Sequence, residues 1–188
     1  MYYYDVQVVN IGLLSSLDIL DFILPLFNDK PIILDPILHS GSGTFQFIKP
    51  EQMNRLKSYF NHIFLLTPNI PEAVALTGQH IQDVSDMQNA SRILMDSGVK
   101  NVLIKGGHLK GNDIYDTLFE RDRISRFSSS RKQFRIHGTG SFLNAAISAH
   151  LFSGDDIKTC VEKAKSMLNR AVENVNEDNP ILTLYSLL

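Results

Sequence analysis

Three neighbouring stretches decide the fold class: Val6-Gln7-Val8-Val9-Asn10-Ile11, Ser16-Leu17-Asp18-Ile19-Leu20-Asp21-Phe22-Ile23-Leu24 and Pro31-Ile32-Ile33-Leu34-Asp35. The first is a short β-branched run closed by Gly12, and the third is an apolar run ending in an acid. Both read as strands buried on two faces, the pattern of a parallel sheet covered by helices. The middle stretch opens with a capping serine and repeats its apolar residues at helical spacing. Together they form a strand, helix, strand unit, for which a right-handed crossover is expected.

The alternation continues along the chain. A helix is predicted near Pro50 to Phe60, a strand at Ile63 to Thr67, a short helix from Asn69 through Leu76, a long helix from Ser85 to Ser97 stopped by Gly98, and a strand at Asn101 to Lys105. Asp113 to Glu120 and Arg123 to Phe127 read as an antiparallel hairpin on the sheet edge. Ser141 to Phe152 and Asp156 to Asn174 read as two closing helices separated by Ser153-Gly154-Asp155. The expected fold is α/β, a mainly parallel sheet flanked by helices, in one domain over residues 1–188.

Bulk properties exclude several classes. The 188 residues carry 18 Lys plus Arg against 20 Asp plus Glu, scattered rather than gathered, so no electrostatic case for nucleic acid arises. The single cysteine, Cys160, cannot form an internal disulfide, and no zinc-ligand spacing occurs. The opening residues lack a basic segment followed by an apolar one, and Leu17 to Phe27 is too short and too charged to span a bilayer. A cytoplasmic protein without membrane attachment is expected.

Ligands gather at the carboxyl ends of parallel strands, so the residues just beyond each strand carry the functional reading. Arg135-Ile136-His137-Gly138-Thr139-Gly140-Ser141 is a glycine-bracketed turn before a helix, where unpaired N–H groups and the helix dipole can converge on an anion. The same residues also suit a tight turn in which Ser141 or Thr139 caps the helix. Asn69 and Glu72, in Thr67-Pro68-Asn69-Ile70-Pro71-Glu72, have capping-box spacing, while Glu72 could also lend charge to a hydrated magnesium ion. Lys105-Gly106-Gly107-His108 ends a strand with a cation and two glycines that permit close approach of phosphates, or forms a simple turn. Asp35, before Pro36, either joins Glu72 around the metal or makes an Asx turn.

In combination and order, Asn10-Ile11-Gly12-Leu13-Leu14, Leu34-Asp35-Pro36-Ile37, Thr67 to Ala73, Ile104 to Leu109 and His137 to Ser141 resemble the ribokinase-like superfamily, most closely its hydroxymethylpyrimidine/phosphomethylpyrimidine kinase branch. The resemblance implies transfer of the ATP γ-phosphoryl group to the hydroxymethyl group of a pyrimidine, or to its monophosphate, in thiamine biosynthesis, with ATP and magnesium. A pyridoxal kinase-like enzyme or a non-catalytic nucleotide-binding homologue is the alternative. It implies an anion hole at Gly138, Thr139 and Gly140, ATP contacts from Lys105, Asn69, Gly107 and His108, metal organisation by Asp35 and Glu72, and substrate contacts from Leu13 and Ile37. It also implies a homodimer or larger assembly. The chain departs from the family pattern twice. Ser141 stands where an acid or a cysteine is usual, and a serine hydroxyl is a poor general base, so impaired activity is expected. The family's first strand-helix units, with their glycine-rich segment, are expected to be missing.

Overall fold

A computed structural model describes residues 5–40, 45–109, 113–134, 136–175, 178, 180 and 181. Residues 1–4, part of the opening read for targeting signals, and Arg135, the first residue of the glycine-bracketed stretch, lie outside the described residues. Six strands form one sheet in chain order: β1 (Val9–Ile11), β2 (Ile32–Leu34), β3 (Leu65–Leu66), β4 (Asn101–Ile104), β5 (Asp113–Phe119) and β6 (Ile124–Ser130). β1 to β4 run parallel, and β5 and β6 return antiparallel as the hairpin.

The apolar runs are continuous because each strand is covered on both sides. Ile32, Leu34, Leu66, Val102, Ile104 and Phe119 point to one core, while Ile33, Leu65, Leu103 and Leu118 point to the other. The first core is closed by the connecting helices α1 (Asp18–Leu26), α2 (Met53–Ser58), α3 (Ile70–Thr77) and α4 (Val84–Asp96), which contribute Leu20, Leu56, Leu76 and Leu94. Strands added stepwise in one direction with one crossover hand place their helices on one face. The opposite face is left to α5 (Thr139–Phe152) and α6 (Ile157–Glu173), which pack on each other through Leu143, Ile147, Val161 and Leu168.

The expected elements appear with shifted limits that have local causes. β2 begins only after Pro31, which has no N–H to give a ladder, and β1 pairs only along those three residues. The stretch from Pro50 to Phe60 is not one helix: a 3₁₀ turn at Pro50–Gln52, α2 and a second 3₁₀ turn at Phe60–His62 follow one another. The last turn is tightened by the i to i+3 bond from Ile63 N–H to the Phe60 carbonyl, 3.0 Å. β6 continues to Ser130, past the expected Phe127, because the register with β5 carries the low-propensity serines 128–130 opposite residues 113–115. α5 begins at Thr139, so neither Thr139 nor Ser141 is its cap. Gly138 occupies that place with φ 88°, a left-handed conformation suited to glycine.

Candidate active site

The carboxyl ends of the parallel strands are held level by backbone bonds that run past the strands themselves. Asp35 N–H donates to the Ile11 carbonyl at 2.9 Å, Thr67 N–H to Leu34 at 3.0 Å, and Lys105 N–H to Pro68 at 2.9 Å. The side chains of Asp35, Thr67 and Lys105 therefore emerge at one rim of the sheet. Lys105 Nζ donates to Asp35 Oδ1 at 2.8 Å, with 16% and 5% of the two side chains exposed. The first turn of α5 closes over this pair: a Cβ added at Gly140 would stand 3.4 Å from both Asp35 Oδ2 and Lys105 Nζ. The amides of Thr139, Gly140 and Ser141 have no partner inside the helix, since the first intrahelical bond runs from Phe142 N–H to Gly138 at 2.9 Å.

Asn69 and Glu72 form the capping box that their spacing indicates. Glu72 N–H donates to Asn69 Oδ1 at 2.9 Å, and Asn69 N–H donates to Glu72 Oε2 at 2.8 Å. Glu72 is nonetheless a buried carboxyl at the rim, and burial pushes it up to about 7 from 4.5. The Lys105 charge and the Asn69 amide oppose that rise, and the Asp35 charge adds to it. The folded chain therefore holds this proton more tightly than the unfolded chain. The resulting stability is complete below about pH 4.5 and is lost as pH rises through 7, a difference of about 3 kcal/mol. Glu72→Gln, neutral at every pH, is expected to match the parent's melting temperature near pH 4.5 and to exceed it increasingly towards pH 8. Parallel thermal melts across that range check this, and a constant offset between the two proteins would show that Glu72 does not titrate as described.

Beside the rim lies a cleft of about 960 Å³ between the hairpin, the 106–108 turn, the amino-terminal part of α5 and the carboxyl-terminal half of α6. Of the residues indicated by the sequence, Asn69, Lys105, Gly107, His108, Thr139 and Gly140 line it. Asp35, Glu72, Gly138, Ser141, Leu13 and Ile37 are outside its lining; Ser141 is exposed, Leu13 is 56% exposed and Ile37 is half-buried. Lys105 thus has the ion pair on one side and the cleft on the other. The turn after it is held by Arg131, itself part of the cleft wall, which donates to the carbonyls of Gly107 at 2.8 Å and Leu109 at 2.6 Å.

Gly106 is sterically required at this turn. A Cβ there would fall 2.1 Å from the Tyr115 carbonyl oxygen, inside any tolerable contact. Gly106→Ala is expected to force β4 and β5 apart and to destabilise the chain by roughly 1–3 kcal/mol or more, as overpacking does. Denaturant titration measures the loss, and an unchanged midpoint would contradict the close approach.

Sequence reading did not identify Asp116, Lys165, Thr67 or Asn144. Asp116 and Lys165 form a buried ion pair at 2.7 Å that also lines the cleft. Asn144 Nδ2 donates to Thr67 Oγ1 at 2.8 Å, tying α5 to the strand end beside Asp35. The available signals were an acid inside the apolar run of β5 and a lysine on the apolar face of α6, in line with Val161 and Leu168.

A family model described as phosphomethylpyrimidine kinase matches residues 2–180. The hydroxymethylpyrimidine/phosphomethylpyrimidine kinase of Aquifex aeolicus is 33% identical over 176 residues, covering 91% of this chain and 69% of that protein. Across several curated kinases of that name the chain spans 60–69% of their length. The structure of phosphomethylpyrimidine kinase from Clostridium difficile superposes with a TM-score of 0.74 at 32% identity, covering 88% of this chain and 69% of that one. An ADP complex of Bacillus subtilis pyridoxal kinase gives a TM-score of 0.83 over 97% of this chain and 72% of that one, a likeness of fold at 24% identity. Sheet order, rim and sequence similarity agree, and the chain belongs to the phosphomethylpyrimidine kinase family.

Proposed function

We propose that the chain binds ATP and transfers its γ-phosphoryl group to the hydroxymethyl oxygen of a pyrimidine, or to a phosphate oxygen of its monophosphate, as in thiamine biosynthesis, at a rate limited by Ser141. The observation that carries this reading is the convergence of Lys105, Asp35 and the first turn of α5 within contact distance at the cleft edge. In the transfer the acceptor oxygen, of the alcohol or of the monophosphate's phosphate, bonds to the γ-phosphorus and the bond to the ADP oxygen breaks; where the alcohol is the acceptor, its proton passes to a base. The chain's own part is positioning and charge stabilisation. Lys105 and the amides of Gly138, Thr139 and Gly140 meet phosphoryl oxygens, and Asn69, Gly107 and His108 border the phosphates. Leu13 and Ile37 lie on the substrate side. The 188 residues act as one ribokinase-like domain.

Asp35 and Glu72 suit a hydrated magnesium ion. They are two carboxyls at one rim, one of them a buried group raised to about 7 whose ionised form a cation would favour, and magnesium commonly takes one or two carboxylates together with waters and phosphates. Held by these two carboxyls, the ion would supply neutralisation of phosphate charge. ADP in a kinase of the same fold, from Bacillus subtilis, supports the nucleotide assignment.

Ser141 favours a second reading, a nucleotide-binding homologue without turnover. The outer edge of β1 is unpaired among the described residues, and exposed Phe22 and Leu26 are on α1, the helix that follows it. These features support assembly into a dimer or larger. No helix among the described residues is long and apolar enough to cross a membrane.

The test combines calorimetry for ATP, with and without magnesium, and phosphoryl-transfer assays on hydroxymethylpyrimidine, its monophosphate and pyridoxal. ATP binding with slow turnover of a pyrimidine is the expected result. Binding without turnover of any of the three selects the second reading, and turnover of pyridoxal alone transfers the assignment to that substrate.

A further inference from the structure

The buried pair Asp116 and Lys165 has more to do than hold the fold. Withdrawing two charges from water is costly, and an apolar pair of similar volume is often as stable or more so. Both side chains are 6% exposed, and Lys165 Nζ donates to Asp116 Oδ2 at 2.7 Å. The other carboxylate oxygen has a separate task. Asp116 Oδ1 accepts the buried Gly106 N–H at 2.9 Å. The ladder between β4 and β5 has ended at Ile104 and Thr117, so no strand partner is supplied to that amide. A buried N–H without an acceptor is rare because its desolvation is then uncompensated. Gly106 is also pressed against the Tyr115 carbonyl, so its position leaves little slack. Asp116 thus fixes the direction in which Lys105 leaves the sheet and in which Gly107 and His108 enter the cleft. Lys165 balances its charge and orients its second oxygen.

From these contacts, and resting on the ATP-binding reading above, we infer that Asp116 is a positioning residue for the nucleotide, acting through the Gly106 amide on the Lys105-Gly106-Gly107 turn. The test uses two charge-free pairs in the full 188-residue chain. Asp116→Leu with Lys165→Met removes both charges and the acceptor. Asp116→Asn with Lys165→Met removes both charges but retains an oxygen for Gly106. Three quantities are read: the thermal midpoint, the hydrogen-exchange rate of the Gly106 amide by NMR, and the ATP dissociation constant by calorimetry.

Similar midpoints are expected for the two pairs, because the charges are absent from both and each strands one buried polar group, the Gly106 N–H in the Leu/Met pair and the new amide's Nδ2 in the Asn/Met pair. The Leu/Met pair should exchange the Gly106 amide at least tenfold faster than the parent and bind ATP at least tenfold more weakly, while the Asn/Met pair stays within about threefold in each. A purely structural role would not separate two equally stable pairs. A second apolar pair, Asp116→Val with Lys165→Leu, carries the same expectation if the first does not fold. Equal ATP affinity in the apolar and amide pairs, whether near the parent's or far below it, overturns the inference alone. A parent that binds no ATP overturns the proposed function and the inference with it.

Discussion

Lys105→Met is expected to weaken ATP binding tenfold to a hundredfold and to destabilise the folded chain as well. A charge-assisted contact to a phosphate is worth roughly 1.5–3 kcal/mol, which sets the change in affinity. The effect on stability has a different origin. Asp35 is 5% exposed and has Lys105 Nζ at 2.8 Å, so removing the amine strands a buried carboxylate. Breaking one side of such a pair typically costs about 3–5 kcal/mol. The Lys105 charge also holds down the proton affinity of Glu72, so the variant should keep Glu72 protonated to higher pH. The two effects separate in the double variant Lys105→Met with Asp35→Asn. Stability should largely return, because no unpaired charge remains, whereas ATP affinity should stay low. Thermal melts, and calorimetry with ATP in the absence of magnesium so that the loss of the Asp35 carboxylate does not enter, measure this on the parent, the single and the double variant. If the double variant regains ATP affinity with stability, the weak binding of the single variant came from a damaged rim rather than from a lost phosphate contact.

The sheet was legible because its strands are buried twice. A run such as Ile32-Ile33-Leu34 sends alternate residues into the two cores, and that leaves an uninterrupted apolar signal between a proline and an acid. Helices with strong local caps were also readable. Asp156 accepts from Lys158 and Thr159 amides at the start of α6, and Asn69 with Glu72 starts α3. Limits set by a neighbour rather than by the local sequence were not readable. β6 runs through three serines because β5 lies opposite, and β1 starts at Val9 rather than Val6 because β2 starts opposite it at Ile32.

The site divides in the same way. Asp35, Asn69, Lys105 and Gly138 could be singled out because each directly follows a strand or precedes a helix, and the fold class then places those ends at a common rim. Pairings across the chain left no comparable trace. Lys105 meets Asp35 across 70 positions, Asn144 meets Thr67 across 77, and Lys165 meets Asp116 across 49. Lys105 read as a phosphate contact and Asp35 as a metal carboxylate or an Asx turn, while Thr67, Asp116, Asn144 and Lys165 carried no assignment. The partner that makes each a buried polar contact becomes visible only when the sheet is assembled.

Ser141→Cys and Ser141→Asp are expected to raise pyrimidine phosphorylation by about 10²–10⁴-fold, the range contributed by a well-placed general base. Ser141 is the third residue of α5 and is exposed, so either replacement fits without disturbing a core. The helix amino terminus favours an anion there: it lowers the pKa of a cysteine thiol and stabilises an aspartate by about 0.3–1 kcal/mol. Both replacements therefore supply an ionised base near neutral pH, which a serine hydroxyl does not. ATP affinity should remain within about threefold of the parent, because the groups proposed to face the phosphates are the amides of Gly138 to Gly140 and Lys105. The Asp variant should also melt slightly higher, and Ser141→Ala should leave the slow parental rate unchanged. Phosphoryl-transfer assays with calorimetry on all four proteins separate the alternatives. A parent that turns over as fast as the Cys and Asp variants would mean that the proton leaves by another route and that Ser141 is no defect. A set of four that all bind ATP and none of which turns over would place the obstacle in the substrate pocket instead.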